Sequence, residues 1–184
     1  TAMKSGAAVP PLWVVVVAAY RPLHSLAGAD GLLDRSWPPS LAAVLTQQVR
    51  EPLEERRLRS SMPRLTAIAD HVSIEVKQQY EENPYPRWVQ PAPADEPQTM
   101  EQYFGSWFKP HTGLRPYGKT EILVAGCGTG QNLVETARQF KDAEVLAVDL
   151  SCASLCYAKR QALALGLTNV SFAEADILEL GNIG

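Results

Sequence analysis

Hydrophobic and polar positions follow one pattern over the last third of the chain and another before it. From residue 119 onward, short apolar runs alternate with stretches in which apolar residues recur at helical spacing. Such alternation through short loops indicates a parallel sheet with right-handed crossovers. We therefore expect an α/β fold in which a helical N-terminal region precedes a β-α-β-α-β unit. The predicted strands are 121–125, 144–148 and 170–173, and the predicted helices are 130–140 and 152–165.

Residues 1–82 form a region of predicted short helices. Apolar residues at helical spacing follow a proline pair at 38–39, and Pro52 is expected to interrupt this helix and open the next. The apolar run 12–19 is shorter than the roughly 20 residues that a membrane span requires, so we interpret it as a core helix. The helix after the proline pair has four apolar residues on one face: Leu41, Val44, Leu45 and Val49.

A third helix is predicted after Asp70, which is a suitable N-cap residue. Val72, Val76 and Tyr80 lie on one stripe of this helix. These assignments make the first 80 residues predominantly helical.

Residues 83–118 form a connector between the helical region and the partial domain at 119–184. Five prolines between positions 84 and 97 exclude regular structure there. Thr99 and Gln102 have the spacing of a capping box, which predicts a short helix after them. Aromatic residues at this density are more often core than part of a cofactor site. They are Tyr103, Phe104, Trp107 and Phe108.

Candidate chemistry lies where the three predicted strands end. Three glycines at alternate positions follow the first strand, Asp149 ends the second, and Asp176 follows the third. The carboxyl ends of parallel strands meet at one crevice, so we expect these residues to be spatial neighbours. An ionised carboxylate accepts hydrogen bonds only, which suits the two hydroxyl groups of a ribose. The glycines are Gly126, Gly128 and Gly130.

The glycine spacing discriminates between two classes of cofactor. Dinucleotide-binding folds use G-x-G-x-x-G, and the third glycine of that pattern would stand at position 131, which is Gln131 here. The observed G-x-G-x-G instead suits a ligand without a phosphate at the loop, whose small polar end packs against bare backbone. A nicotinamide-dependent oxidoreductase is therefore disfavoured.

The runs EILVAGCGTG, VLAVDLS and FAEADILEL together resemble the cofactor half of a class I methyltransferase that uses S-adenosylmethionine. The resemblance implies a Rossmann-like sheet and covers about residues 70–180. It implies that the glycine loop packs on the methionine part, that the acid after the second strand binds the ribose, and that the acid after the third contacts the adenine amino group. The implied cofactor-binding residues are Gly126, Cys127, Gly128, Gly130, Asp149, Leu150, Asp176 and Ile177.

The segment QYEENPYPRW at 79–88 further resembles a bacterial subgroup in which such a domain often follows tetratricopeptide repeats. Within this segment, NPYP is similar to the N-P-P-[YFW] element of amino-group methyltransferases. We interpret it as a rigid turn instead, because it precedes the glycine loop and its residues stand in a different order. Three residues of the segment are candidates for a lid over the cofactor: Tyr85, Arg87 and Trp88.

Two departures from the family pattern bear on function. The family usually has an acidic residue two places before the first glycine, whereas this chain has Val124, which predicts weaker cofactor binding or another carboxylate in that role. The family domain also continues for about four more strands that carry the substrate-side residues. We therefore expect a longer native protein, with its catalytic residues unknown, and 184 residues that bind cofactor weakly and turn over nothing.

The composition limits the expected partners and location. A net charge of −3 and a pI of 5.6 give no electrostatic basis for binding nucleic acid, so a protein side chain or a small molecule is the expected methyl acceptor. An odd number of cysteines suggests a reduced, cytoplasmic setting without membrane attachment. Cys152 and Cys156 lie one helical turn apart without a nearby histidine, so buried thiols are favoured over a metal site.

Two further alternatives stay open at this point. The chain could be a non-catalytic interaction module that uses a methyltransferase-like fold as a scaffold, which the valine at 124 and the proline-aromatic segment favour. Separately, a sheet of three strands leaves one edge of the first strand unpaired. Exposed edges recruit partners, so we expect either a homodimer through this edge or coverage of the edge by the N-terminal helices.

Overall fold

The computed structural model describes residues 9–107, 119–140 and 142–182. The chain divides into two compact units, one ending at Arg57 and the other beginning at Leu58. The three regions expected from the sequence, with limits at 82 and 118, stay a prediction. None of the helices in the described ranges is both long enough and apolar enough to cross a membrane.

The first unit is helical. Its core contains the apolar face that the sequence predicted after the proline pair, because Leu41, Leu45 and Val49 are buried against Leu23 and Leu32. Two short 3-10 turns, Leu23–Ser25 and Asp30–Leu32, supply the other side of this core. The remaining elements are α1 (Pro11–Tyr20), α2 (Pro39–Leu45), a π-helical segment (Thr46–Arg50) and α3 (Glu51–Arg59).

Two expectations about these helices need correction. The apolar run 12–19 does form α1, but Val14 is its single buried residue, because a helix that is apolar all round meets the core on one side only. Pro52 lies in the first turn of α3, as predicted for a helix that it opens, but the chain stays helical before it. The helix widens to π geometry over Thr46–Arg50, a change that accommodates a residue without an N–H group, and continues as α3.

The second unit contains a parallel sheet of three strands, with helices preceding it, so the expected fold class is confirmed. The strands are β1 (Thr120–Ala125), β2 (Ala143–Asp149) and β3 (Val170–Glu174), in that order across the sheet. Helices α6 (Gln131–Gln139) and α7 (Cys152–Ala164) pack on one face of the sheet, where Leu133 and Leu155 are fully buried against Val145. The other elements are α4 (His71–Glu82), α5 (Met100–Trp107) and a 3-10 segment (Ile177–Asn182).

Helix α4 begins as predicted but buries a different face. The Asp70 side chain accepts a hydrogen bond from the Ser73 amide at 3.0 Å, which confirms it as the N-cap. The apolar stripe is not the buried face, because Val72 and Tyr80 are exposed. The buried face is polar: Ser73 is buried, and Lys77 forms an ion pair with Glu174 of β3.

The capping box before α5 is confirmed. The Thr99 amide donates to the Gln102 side chain at 2.9 Å, and the Gln102 amide donates to the Thr99 hydroxyl at 3.2 Å. Tyr103 packs edge-to-face on Phe140 at the end of α6, which agrees with a core role for this aromatic residue. Phe108 lies outside the described residues.

The outer edge of β3 is covered by a segment from far earlier in the chain. The Glu174 amide donates to the Pro63 carbonyl at 2.8 Å, and the Leu65 amide donates to the Glu174 carbonyl at 2.9 Å. Arg64 and Lys77 both pair with the Glu174 carboxylate, which is 6% exposed. We call residues 63–66 the edge segment.

Candidate functional site

The carboxyl ends of the three strands lie at one edge of the sheet, as the sequence predicted. The amides of Gly126 and Cys127, just after β1, donate to the Val148 carbonyl at the end of β2, at 2.8 and 3.0 Å. The Ala175 amide, just after β3, donates to the Asp149 carbonyl at 3.0 Å. Backbone hydrogen bonds therefore hold the glycine loop and both acids at neighbouring strand ends.

The three glycines adopt left-handed backbone conformations but lack side chains for different reasons. Their φ angles are +69° at Gly126, +54° at Gly128 and +84° at Gly130. A Cβ added at either of the first two would meet no described atom within 4 Å, so that backbone faces open space. A Cβ at Gly130 would lie 2.6 Å from the Cβ of Ala158, so this glycine permits the loop to pack against α7.

The amides of the loop are bonded to the protein itself. Those of Gly126 and Cys127 share the Val148 carbonyl, the Gly128 amide donates to Asp149, and the Gly130 amide donates to the Cys127 carbonyl at 2.9 Å. A phosphate-binding loop presents such amides to its ligand. These four amides are already used, which agrees with the inference that the loop suits a ligand without a phosphate.

Asp149 joins the loop to the start of α7. Its Oδ2 accepts from the Gly128 amide at 2.8 Å, and its Oδ1 accepts from the Ser151 amide at 2.8 Å. The residue is half-buried, and each carboxylate oxygen has a second lone pair. The carboxylate is thus fixed in orientation and can still accept two hydroxyl hydrogens, as a ribose would require.

Asp176 carries a buried oxygen without a partner. The residue is 1% exposed; its Oδ1 accepts from the Leu178 amide at 3.0 Å, while its Oδ2 has no hydrogen-bond partner among the described atoms. Leaving a buried acceptor unsatisfied costs about 1–3 kcal/mol. A ligand that donates a hydrogen bond, such as an exocyclic amine, would remove this cost. Ile177 follows directly and is half exposed.

Two apolar residues flank these acids. Cys127 is buried, and burial together with the charge of Asp149 raises the pKa of its thiol well above the ordinary value. The thiol therefore stays protonated at neutral pH and offers neither a nucleophile nor a metal ligand. Leu150 is half-buried beside Asp149, and Val124 packs against the core on the helix side of the sheet.

The three residues proposed for a lid have different environments. Tyr85 is 75% exposed, whereas Trp88 is buried against Val134 and Tyr157. The guanidinium of Arg87 lies 4.6 Å above the ring of Tyr157. Closure of this segment over a cofactor stays a prediction.

Three residues that shape the site were not identified from the sequence. Thr129, between two loop glycines, is 2% exposed; its hydroxyl donates to the Pro86 carbonyl and its own carbonyl accepts from the Trp88 indole. Thr66 accepts a hydrogen bond from the Asp176 amide at 2.7 Å, and Ser151 caps α7 through the Ser154 amide. The sequence carried a local signal for Ser151 alone, because a serine directly before a helical pattern is a common N-cap, whereas the contacts of Thr129 and Thr66 depend on tertiary structure.

A group of charged residues and thiols surrounds the first turn of α7. Glu81 of α4 accepts from the Ala153 amide at 3.2 Å and pairs with Arg59. Burial opposes the charge on Arg59, but its hydrogen bond to Glu81 raises its pKa. The Sγ atoms of Cys152 and Cys156 are 4.0 Å apart; the hydrogen bond from Cys156 and the charge of Arg59 lower the pKa of Cys152.

The known proteins to which this chain is similar include methyltransferases. Residues 118–183 match the family model of a methyltransferase domain. The chain is 39% identical over 66 residues to trans-aconitate 2-methyltransferase of Deinococcus radiodurans. That similarity covers 36% of this chain and 23% of the relative, so the chain spans about a quarter of the relative's length.

Two solved structures show more distant likenesses. One is coclaurine N-methyltransferase bound to N-methylheliamine and SAH, with a TM-score of 0.38 and 20% identity over 96% of this chain and 49% of that one. The other comes from work on conversion of a disulfide bond into a thioacetal group during echinomycin biosynthesis, with a TM-score of 0.36 and 24% identity over 60% and 42% of the two chains. These TM-scores are too low for either structure to assign residues here.

Proposed function

We propose that this chain forms the S-adenosylmethionine-binding part of a class I methyltransferase. The observation that carries the proposal is the hydrogen bond between Asp149 Oδ2 and the Gly128 amide, which joins the acid and the glycine loop in one site. The buried, unpartnered Oδ2 of Asp176 adds an acceptor at the next strand end. The match of residues 118–183 to a methyltransferase domain supports this reading.

The proposed roles are those that the resemblance to class I methyltransferases implies. Asp149 accepts the two ribose hydroxyl hydrogens, the exposed backbone at Gly126 and Gly128 contacts the methionine part, and Asp176 accepts from the adenine amino group beside Ile177. Leu150 and the protonated Cys127 line the pocket without charge. When bound, S-adenosylmethionine would supply a sulfonium methyl group open to in-line attack by an O, N or C nucleophile.

The contribution of these residues to the rate is orientation and exclusion of water. Holding donor and acceptor about 3 Å apart in a dry site lowers the barrier without a dedicated acid or base. The acceptor is proposed to be a protein side chain or a small molecule. We further propose a cytoplasmic protein of the bacterial, tetratricopeptide-associated subgroup, on the likeness of residues 79–88 and on three free cysteines.

Isothermal titration of this chain with S-adenosylmethionine tests the proposal. We expect weak binding that Asp149→Asn reduces about tenfold or more, because one charge-assisted acceptor is lost. Glu144→Gln is the matched control, since Glu144 lies at the opposite end of β2 and pairs with Lys119 on the surface. Its affinity should equal that of the wild type.

Two results would contradict the proposal. The first is the absence of binding at millimolar cofactor, which a scaffold module predicts. The second is an unchanged dissociation constant in Asp149→Asn. Tight binding of NADH without binding of S-adenosylmethionine would instead favour the oxidoreductase alternative.

A further inference from the structure

The segment at 86–88 is bonded to the glycine loop. The indole Nε1 of Trp88 donates to the Thr129 carbonyl at 2.9 Å, and the Thr129 hydroxyl donates to the Pro86 carbonyl at 2.5 Å. Trp88 is 9% exposed and Thr129 is 2% exposed, so the bond between them is shielded from bulk water, whereas the bond to the exposed Pro86 is partly buried. Thr129 stands between the left-handed residues Gly128 and Gly130, so both bonds hold the middle of the glycine loop.

The same segment is tied to α7. The Trp88 carbonyl accepts from the Tyr157 hydroxyl and from Gln161 Nε2, the latter at 2.8 Å. The Trp88 ring packs edge-to-face on Tyr157, with centroids 6.2 Å apart. Residues 86–88 therefore connect the glycine loop to two successive turns of a fixed helix.

We propose that Trp88 is a positioning residue for the glycine loop, and that its indole N–H holds the loop in the conformation that receives S-adenosylmethionine. That the loop receives S-adenosylmethionine rests on the function proposed above. Three positive φ angles within five residues give the loop many alternative conformations, because glycine restricts the backbone least. Fixing Thr129 at both its carbonyl and its hydroxyl removes most of these alternatives before a ligand binds, which lowers the entropic cost of binding.

We call the two hydrogen bonds between residues 86–88 and Thr129 the clamp. Hydrogen exchange on the ligand-free chain tests the clamp directly. Trp88→Phe keeps an aromatic ring against Val134 and Tyr157 and removes the N–H donor together with one ring of the indole. We expect the amides of Gly128 and Gly130 to exchange about tenfold faster, the size expected for losing one buried hydrogen bond. The Leu155 amide, bonded to the Ser151 carbonyl within α7, should keep its wild-type rate and so show that the fold is intact.

The chain contains a matched control for this substitution. Trp37 also donates its indole N–H to a backbone carbonyl, that of Leu32 at 2.7 Å, within the first unit. Trp37→Phe removes the same type of bond and should leave exchange at the loop unchanged. Equal acceleration in both variants, or none in Trp88→Phe, would overturn the proposal.

Substitutions at Thr129 provide an independent arm. Thr129→Val keeps the shape and loses the donor to Pro86, so it should reproduce the faster loop exchange. Thr129→Ser keeps the hydroxyl and should restore the wild-type rate, a rescue that a purely steric role would not produce. Wild-type exchange in Thr129→Val would argue against the clamp even if Trp88→Phe failed to fold.

Titration with S-adenosylmethionine separates this inference from the proposed function. If the wild type binds, Trp88→Phe should weaken affinity about tenfold and Trp37→Phe should not. If the wild type does not bind while loop exchange responds as expected, the proposed function fails and the clamp stands. Binding with unchanged affinity and exchange in Trp88→Phe refutes the clamp alone.

Discussion

At position 130 the space for a side chain is already occupied by Ala158, whereas at position 128 it is open. Both backbones are left-handed, so any L-residue at either position carries conformational strain. The two glycines thus have the same backbone requirement and different surroundings. One makes room for helix α7, and the other leaves room in front of the strand ends.

This difference predicts unequal losses of stability. Gly128→Ala should cost about 1–2 kcal/mol from backbone strain, and Gly130→Ala about 1–3 kcal/mol more from overpacking against Ala158. Urea unfolding of the two variants measures the difference. Adding Ala158→Gly should recover part of the loss at position 130 and none at 128; equal losses in the two single variants would contradict the steric explanation.

At the scale of elements, the sequence identified helices and strands better than their buried faces. All three strands and both helices after residue 119 occur within one or two residues of their predicted limits, because continuous apolar runs and helical periodicity are local signals. The buried face of α4 was missed because ion pairing with Glu174 and capping of α7 by Glu81 outweigh the burial of Val72 and Tyr80.

The first turn of α7 has a testable chemical property. The lowered pKa of Cys152 means that its thiolate persists to lower pH than in a free cysteine, so alkylation by iodoacetamide should reach half its maximal rate at a lower pH. Cys127 should need a higher pH, since its pKa is raised. Mass spectrometry after pulses at a series of pH values resolves the two sites.

Removing the partner thiol should shift this profile. Cys156→Ala eliminates the hydrogen bond that most lowers the pKa of Cys152, so the half-maximal pH should rise. Cys127→Ala is the control and should leave the Cys152 profile in place. If the pH dependence of alkylation at Cys152 is the same in Cys156→Ala as in the wild type, the second thiol does not stabilise the thiolate.

At the scale of the molecule, β1 is the strand with an available edge. In the described part of the chain β1 pairs only with β2, and Leu123 is 51% exposed. We predict reversible self-association through this edge, which sedimentation velocity at increasing concentration would detect. Leu123→Lys should suppress it, because a charge on an edge strand opposes pairing. A wild type that stays monomeric at high concentration would contradict this expectation.

The site was predictable to the extent that it depends on strand ends. The positions of Asp149 and Asp176 followed from local apolar runs, and the structure places both at one edge. The contacts of Trp88 with Thr129 span 41 residues, and those of Arg64 with Glu174 span 110. Pairings at such separations leave no periodic signal in a single sequence, so the clamp and the edge segment could not be predicted.

The edge segment also has a consequence for the order in which the chain can assemble. Arg64 leaves the ribosome 110 residues before Glu174, an interval of about 5–20 s at ordinary rates of synthesis. During that time the amide of Leu65 has no strand to join, and the hydroxyl of Thr66 has no Asp176 amide to accept from. Because closing so long a loop is entropically costly, we expect this to be a late step. The outer border of the sheet is thus formed by one of the earliest parts of this unit and by a strand that is synthesised 110 residues later.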